Sequence, residues 1–212
     1  MKKYLSFLRI RFIAGLQYRA AAWAGMATQF FWGGMTILMY RAFYKSDPAS
    51  FPMSMSALSS YIWLQQAFLA LFMGWYYDGE ILDSVTTGSV GYELCRPCDL
   101  YAMWFIKNCA VRLSRAALRC LPILVFAALL PKPYCISLPA SLPAAPLFLL
   151  SMAMGLAVVT AFSMLVYISA FYTLTTSGVR ILAAAVTEFF SGAIIPIPFF
   201  PEPLQRVFCA LP

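Results

Sequence analysis

Apolar residues fall into long runs separated by short polar segments, and the length of each run carries information. Ala20 to Tyr40 holds no Lys, Arg, Asp or Glu across 21 positions. At about 1.5 Å per helical residue that run matches the roughly 30 Å hydrocarbon core of a bilayer. A second run, Leu58 to Tyr77, closes on Trp75, Tyr76 and Tyr77, the aromatic cluster expected at a membrane–water boundary. Cys120 to Leu130 is too short to cross alone, so the helix is expected to extend back past Arg119, Arg115 and Arg112. Leu147 to Tyr172 is again uncharged, and a fifth run starts at Ile181 and breaks at Ile195-Pro196-Ile197-Pro198. The pattern predicts spans at 20–40, 58–77, 104–130, 147–172 and 181–195.

The intervening segments have their own character. Residues 1–19 mix Lys2, Lys3, Arg9, Arg11 and Arg19 with Leu5, Leu8, Phe12 and Leu16 at near-helical spacing, which predicts a helix lying in the membrane interface. Pro131, Pro133, Pro139, Pro143 and Pro146 oppose a continuous helix before the fourth span. Residues 196–212, with Pro196, Pro198, Pro201 and Pro203, are expected as an outer re-entrant or surface segment. Such irregular backbone at membrane depth must be buried in protein or line water.

Composition narrows the class. With 62% apolar and 11% charged residues, a soluble domain would have too little polar surface to cover itself. The expectation is an all-α, polytopic transmembrane bundle forming one domain over 1–212. The net charge of +7 is dispersed among apolar runs, which fits anionic lipid headgroups and not nucleic acid. With the N-terminus inside, eleven basic residues fall on the cytoplasmic side, and Arg41, Lys45, Lys132 and Arg206 outside. That asymmetry places the N-terminus in the cytoplasm. Five spans then leave the C-terminus outside, which points to a sixth crossing that these residues do not include.

Candidate chemistry is sparse. There is no histidine, and Cys95, Cys98, Cys109, Cys120, Cys135 and Cys209 do not form a disulfide framework or a complete zinc site, so no metal or cofactor is expected in this chain. Five of the eight acidic residues, Asp78, Glu80, Asp83, Glu93 and Asp99, lie between the second and third runs. Arg112, Arg115 and Arg119 share one helical face, with Arg119 the deepest by sequence position. Glu188 lies about 12 Å into the fifth run, where a carboxylate needs a partner such as Arg119 or Arg115.

The segment Thr87-Gly88-Ser89-Val90-Gly91-Tyr92-Glu93-Leu94-Cys95-Arg96-Pro97-Cys98-Asp99-Leu100 resembles the cytoplasmic loop of type 2 ATP-binding-cassette (ABC) exporter permeases. Ser191-Gly192-Ala193-Ile194-Ile195-Pro196-Ile197-Pro198-Phe199-Phe200-Pro201 is similar to the run that ends their fifth helix at the outer gate. The resemblance implies a bacterial plasma-membrane permease subunit that pairs with a second copy or relative and contacts membrane lipids. Its last span would be missing here. It would not itself be an enzyme, and ATP and Mg²⁺ would sit on a separate ABC ATPase subunit. Residues 78–103 would be the ATPase-coupling loop, with Ile81, Leu82, Asp83, Val85, Gly88, Gly91, Glu93, Arg96, Pro97 and Asp99 as contacts. In that role Ile81, Leu82 and Val85 form an apolar patch, Gly88 ends a short helix and Pro97 stiffens the exit. Glu188, Arg119, Arg115, Pro196 and Pro198 would belong to the pathway or gate. The competing expectations are a lipid-modifying enzyme holding Mg²⁺ on Asp78, Glu80 and Asp83, and a non-transporting scaffold.

Overall fold

The computed structural model of the chain describes residues 2–137, 144–173 and 176–210. Pro139 and Pro143 of the proline-rich loop, and Leu211, lie outside the described residues. All regular structure among the described residues is helical: α1 (Lys2–Leu16), α2 (Arg19–Ser46), α3 (Met55–Phe72), α4 (Gly79–Thr86), α5 (Val90–Leu94), α6 (Leu100–Leu129), α7 (Ala144–Ser169), α8 (Ser177–Phe190) and α9 (Glu202–Ala210). Short 3₁₀ turns occupy Pro48–Ser50 and Ile197–Phe199.

Local chemistry sets the boundaries. Asp47 leaves the helix and its carboxylate accepts from the Ala49 amide at 3.2 Å, so α2 stops there and Pro48 opens a tighter turn. Ser54 caps α3 by accepting from Ala57 N at 3.2 Å, and Asp99 caps α6 by accepting from Tyr101 N at 3.1 Å. Each such cap satisfies an amide with no partner inside the helix. Gly88 has φ +74°, a conformation that a side chain disfavours, and it terminates the α4 turn as expected.

Two expected spans are revised. The second helix ends at Phe72 instead of Tyr77, and residues 73–77 run as a non-helical connector. The last expected span is α8, which stops at Phe190. Its 14 residues cover only about 21 Å, less than a hydrocarbon core. The third helix is continuous from Leu100 through all three arginines and across Pro122 to Leu129, close to the expected extent. Among the described residues one helix, Ala145–Ser169 of α7, is long and apolar enough to cross a membrane by length and composition.

Helix α6 is the axis of the molecule. α1 packs along its first half, α3 along its length, and α2 and α7 flank them. α1 therefore rests on protein along one side, although no residue of it is fully buried. Small residues permit the closest approaches. A Cβ on Gly33 would lie 2.9 Å from the Trp63 ring, whereas Gly34 faces open space, so only one of this adjacent pair is a packing residue. Apolar side chains gather at two ends of the bundle. Tyr77, Ile81, Leu82, Trp104, Met164 and Tyr167 form one cluster, while Ile37, Leu58, Ile62, Trp63, Ile123 and Ala127 form the other.

Between these clusters the usual distribution of polarity is reversed. Arg112, Asn108, Thr160, Ser59 and Ser114 are among the most completely buried side chains. Phe31 is 81% exposed and Leu147, Leu149, Met154 and Leu165 are each more than 60% exposed.

Candidate functional site

The break after α3 creates a demand that one side chain meets. Where a helix stops, its last carbonyls lose their partners, and the connector Met73–Tyr77 adds more. Arg112 of α6 answers both. Its Nη1 donates to Leu71 O at 3.2 Å and Met73 O at 2.8 Å, and its Nη2 donates to Tyr76 O at 3.3 Å and to Ser163 Oγ of α7 at 3.1 Å. Its Nε donates to Asn108 Oδ1 at 2.7 Å. All five N–H directions of a guanidinium thus have acceptors, on three helices and the connector. Arg112 is 0% exposed and makes no ion pair among the described residues. A buried cation of this kind is tolerable because every donor is satisfied by an aligned dipole.

The network continues toward α4. Asn108 Nδ2 donates to Tyr167 Oη at 3.1 Å, and the Asp78 amide donates to the same hydroxyl at 2.8 Å. The Asp78 carboxylate starts α4 by accepting from Glu80 N at 3.0 Å and also pairs with Lys107 Nζ at 2.9 Å. Lys107 reaches Glu80 as well, at 2.6 Å. Polar contacts therefore run unbroken from the end of α3 through α6 and α7 to the first turn of α4. Tyr76 is held to the same assembly by its ring, with the Arg115 guanidinium 4.0 Å and the Arg112 guanidinium 5.7 Å from the ring centre, distances at which cation–π attraction is effective.

Glu80 supplies a pH signature. The hydrogen bond from Lys107, followed by the charge of Lys107, holds its carboxyl below the ordinary value of 4.5. A lowered pKa stabilises the fold above the unfolded-state value, and the contribution disappears as pH falls through the folded-state value. Since the side chain is 75% exposed, screening limits the effect to less than about 1 kcal/mol. The expected result is a small loss of thermal stability on acidification below pH 4.5, which Glu80→Gln removes; parallel melts of the two proteins check it.

The structure rearranges the residues expected to act. Ile81 and Leu82 are buried in the cluster beneath α4, with Val85 packed against it, so the expected apolar patch faces inward and is closed to a partner. Asp83, Gly88, Gly91 and Arg96 are exposed. Glu93 accepts from Trp104 Nε1 at 2.8 Å, and the Pro97 carbonyl accepts from Lys3 Nζ at 3.1 Å. Both are internal ties, and Asp99 serves as the cap of α6. Tyr92, 81% exposed, and Leu94, 63% exposed, form the outward lip that residue-type reasoning passed over; their position just after Gly88 and Gly91 was the available signal.

Of the three arginines, Arg112 is the most completely buried. Arg119 is half-buried and donates to Ala21 O at 3.4 Å, with Gly25 directly beside its guanidinium. No ion pair joins Glu188 to Arg115 or Arg119 among the described residues. Helix α8 instead sets Thr187 against Gly74, where an added Cβ would fall 2.8 Å from the Thr187 methyl. Pro196 and Pro198 form the 3₁₀ turn after α8, and Pro198 O accepts from Gln205 Nε2 at 3.2 Å. Asp78 and Glu80 pair with the Lys107 ammonium while Asp83 is exposed, and among the described residues no three His, Cys, Asp or Glu side chains are grouped as metal ligands.

Comparison of the chain with protein-family models, with curated proteins and with solved structures returns no match.

Proposed function

We propose that this chain is the permease subunit of an ABC exporter: a polytopic bundle that forms a substrate path with a second permease chain and takes its energy from a separate ATPase. The observation that carries the proposal is the reversed polarity of the bundle. Fully buried Arg112, Asn108 and Thr160 lie inside a surface of exposed Phe31, Trp32, Leu147, Leu149 and Leu165. In water this arrangement wastes apolar area, whereas in lipid the exposed side chains are solvated and the polar groups find each other.

The Gly-x-x-x-x-Gly-Lys-Ser/Thr phosphate loop does not occur in these 212 residues, so ATP and Mg²⁺ are assigned to the partner. The contact on this side is the α4–α5 hairpin, with Asp83, Gly88, Gly91, Tyr92, Leu94 and Arg96 facing outward. Motion imposed there enters the bundle through the first turn of α4, where Asp78 and Glu80 grip Lys107. The connector, Arg112 and α7 follow because they share hydrogen bonds with that turn. The hairpin and the N-terminus lie on the cytoplasmic side in this proposal, and the substrate passes between the two permease chains.

Two measurements test it. Paired substitution Tyr92→Ala, Leu94→Asp should weaken association with the proposed ABC ATPase subunit by at least about ten-fold, as loss of an interface anchor does, with no change in melting temperature. A variant keeping only Cys95, which is exposed at the hairpin, should react with a membrane-impermeant maleimide in inverted vesicles. Labelling in intact cells would overturn the proposal, since no cytoplasmic ATPase reaches that face.

A further inference from the structure

One groove plays no part in the ATPase coupling. It lies between α1 and α6, has a volume of about 440 Å³ and is lined by Lys2, Tyr4, Leu5, Leu8, Ala102 and Ile106. That volume falls within the roughly 300–1,000 Å³ usual for small-molecule sites. Its lining surface is almost wholly apolar, and Lys2 is the one charged residue that contributes to it. No acidic residue occurs before Asp47, so α1 carries Lys2, Lys3, Arg9 and Arg11 without internal compensation.

Two of these cations are already engaged. Lys3 binds the Pro97 carbonyl at 3.1 Å and lies 5.1 Å from the Tyr4 ring centre. Arg11 lies 5.4 Å from the Phe7 ring centre and acts electrostatically on Glu80. Lys2 is exposed and forms no ion pair among the described residues. An apolar trough with an uncompensated cation at its edge is complementary to an amphiphile that has a hydrocarbon chain and a negative head. A neutral apolar molecule would gain nothing from the ammonium, and a polyanion would leave the trough unfilled.

We propose that this groove binds one anionic phospholipid of the bilayer, its acyl chain between α1 and α6 and its phosphate on Lys2. The inference rests on the permease reading in one respect, the placement of α1 at headgroup level.

The test uses the full chain purified in a neutral maltoside detergent, with phosphatidylglycerol and phosphatidylcholine of identical acyl chains titrated and bound lipid counted by native mass spectrometry. One phosphatidylglycerol should be retained in preference to phosphatidylcholine. Lys2→Gln should reduce that preference roughly five-fold, the effect of one cation at a lipid surface. Leu5→Gln should weaken both lipids. Both side chains are exposed, so neither substitution threatens the fold, and unchanged melting temperatures check this. Equal retention of the two lipids, no effect of either variant, or displacement of phosphatidylglycerol by inorganic phosphate alone would overturn the inference. Recovery of the chain from the soluble fraction of cells would instead defeat the permease reading, and lipid retention would still decide the groove.

Discussion

Arg112→Ala lowers stability by roughly 4 kcal/mol, the largest effect expected of any single substitution in this chain. The reason lies in the acceptors left behind. Leu71 O, Met73 O, Tyr76 O, Asn108 Oδ1 and Ser163 Oγ all lose a donor at once. A buried group without its partner costs about 1–3 kcal/mol. Removing a buried cation recovers part of that total, and the cavity adds to it. At about 2–4 °C per kcal/mol for a chain of this length, the melting temperature in detergent should fall by about 10 °C. Arg112→Lys should recover little, because an ammonium offers three donors on one atom and cannot span acceptors on three helices. A melting temperature within about 2 °C of the unsubstituted protein would refute the assignment of Arg112 as the tie that holds the α3 break.

Lys107→Met is the second large effect, at about 3 kcal/mol, the low end of the range for removing one member of a buried ion pair. The carboxylate left behind is Asp78, whose side chain is 9% exposed and already bound to the start of α4. Glu80 matters less, since it is 75% exposed and regains water. The discriminating experiment is the double substitution Lys107→Met, Asp78→Asn. If the penalty is the orphaned charge, the double variant is more stable than Lys107→Met alone. If the double variant is no better, the pairing is incidental. In the proposed permease, Lys107→Met also loosens the junction between hairpin and bundle. ATPase stimulation should then fall while ATPase binding, carried by Tyr92 and Leu94, persists.

The helices were legible because their causes are local. Uncharged runs and the flexible Gly88 act within a few residues of themselves, whereas the caps at Ser54, Asp78 and Asp99 came to light only in the structure. The continuity of α6 through three arginines was legible too, since Cys120–Leu130 was too short alone. The end of α3 was not. Nothing in Phe72-Met73-Gly74-Trp75-Tyr76-Tyr77 forbids a helix as strongly as proline does. The break holds because Arg112, nearly forty residues later, donates to the released carbonyls, and because Thr187 sits against Gly74.

The candidate site divides in the same way. Residue types located the acidic hairpin and the arginine face, since charges in an apolar chain are few and costly. They did not say which arginine is innermost, because i, i+3 and i+7 spacing fixes a shared face and not the depth of each position under its neighbours. Nor did they orient α4 and α5, where Ile81 and Leu82 of α4 turn inward while Tyr92 and Leu94 of α5 stay outside. By itself, the order of amino acids determined helix content, the polarity of each segment and where charge is scarce, all consequences of short-range propensity and hydrophobic free energy. Only tertiary contact decided which polar atoms meet, because hydrogen bonds and ion pairs over 2.6–3.4 Å depend on how distant helices pack.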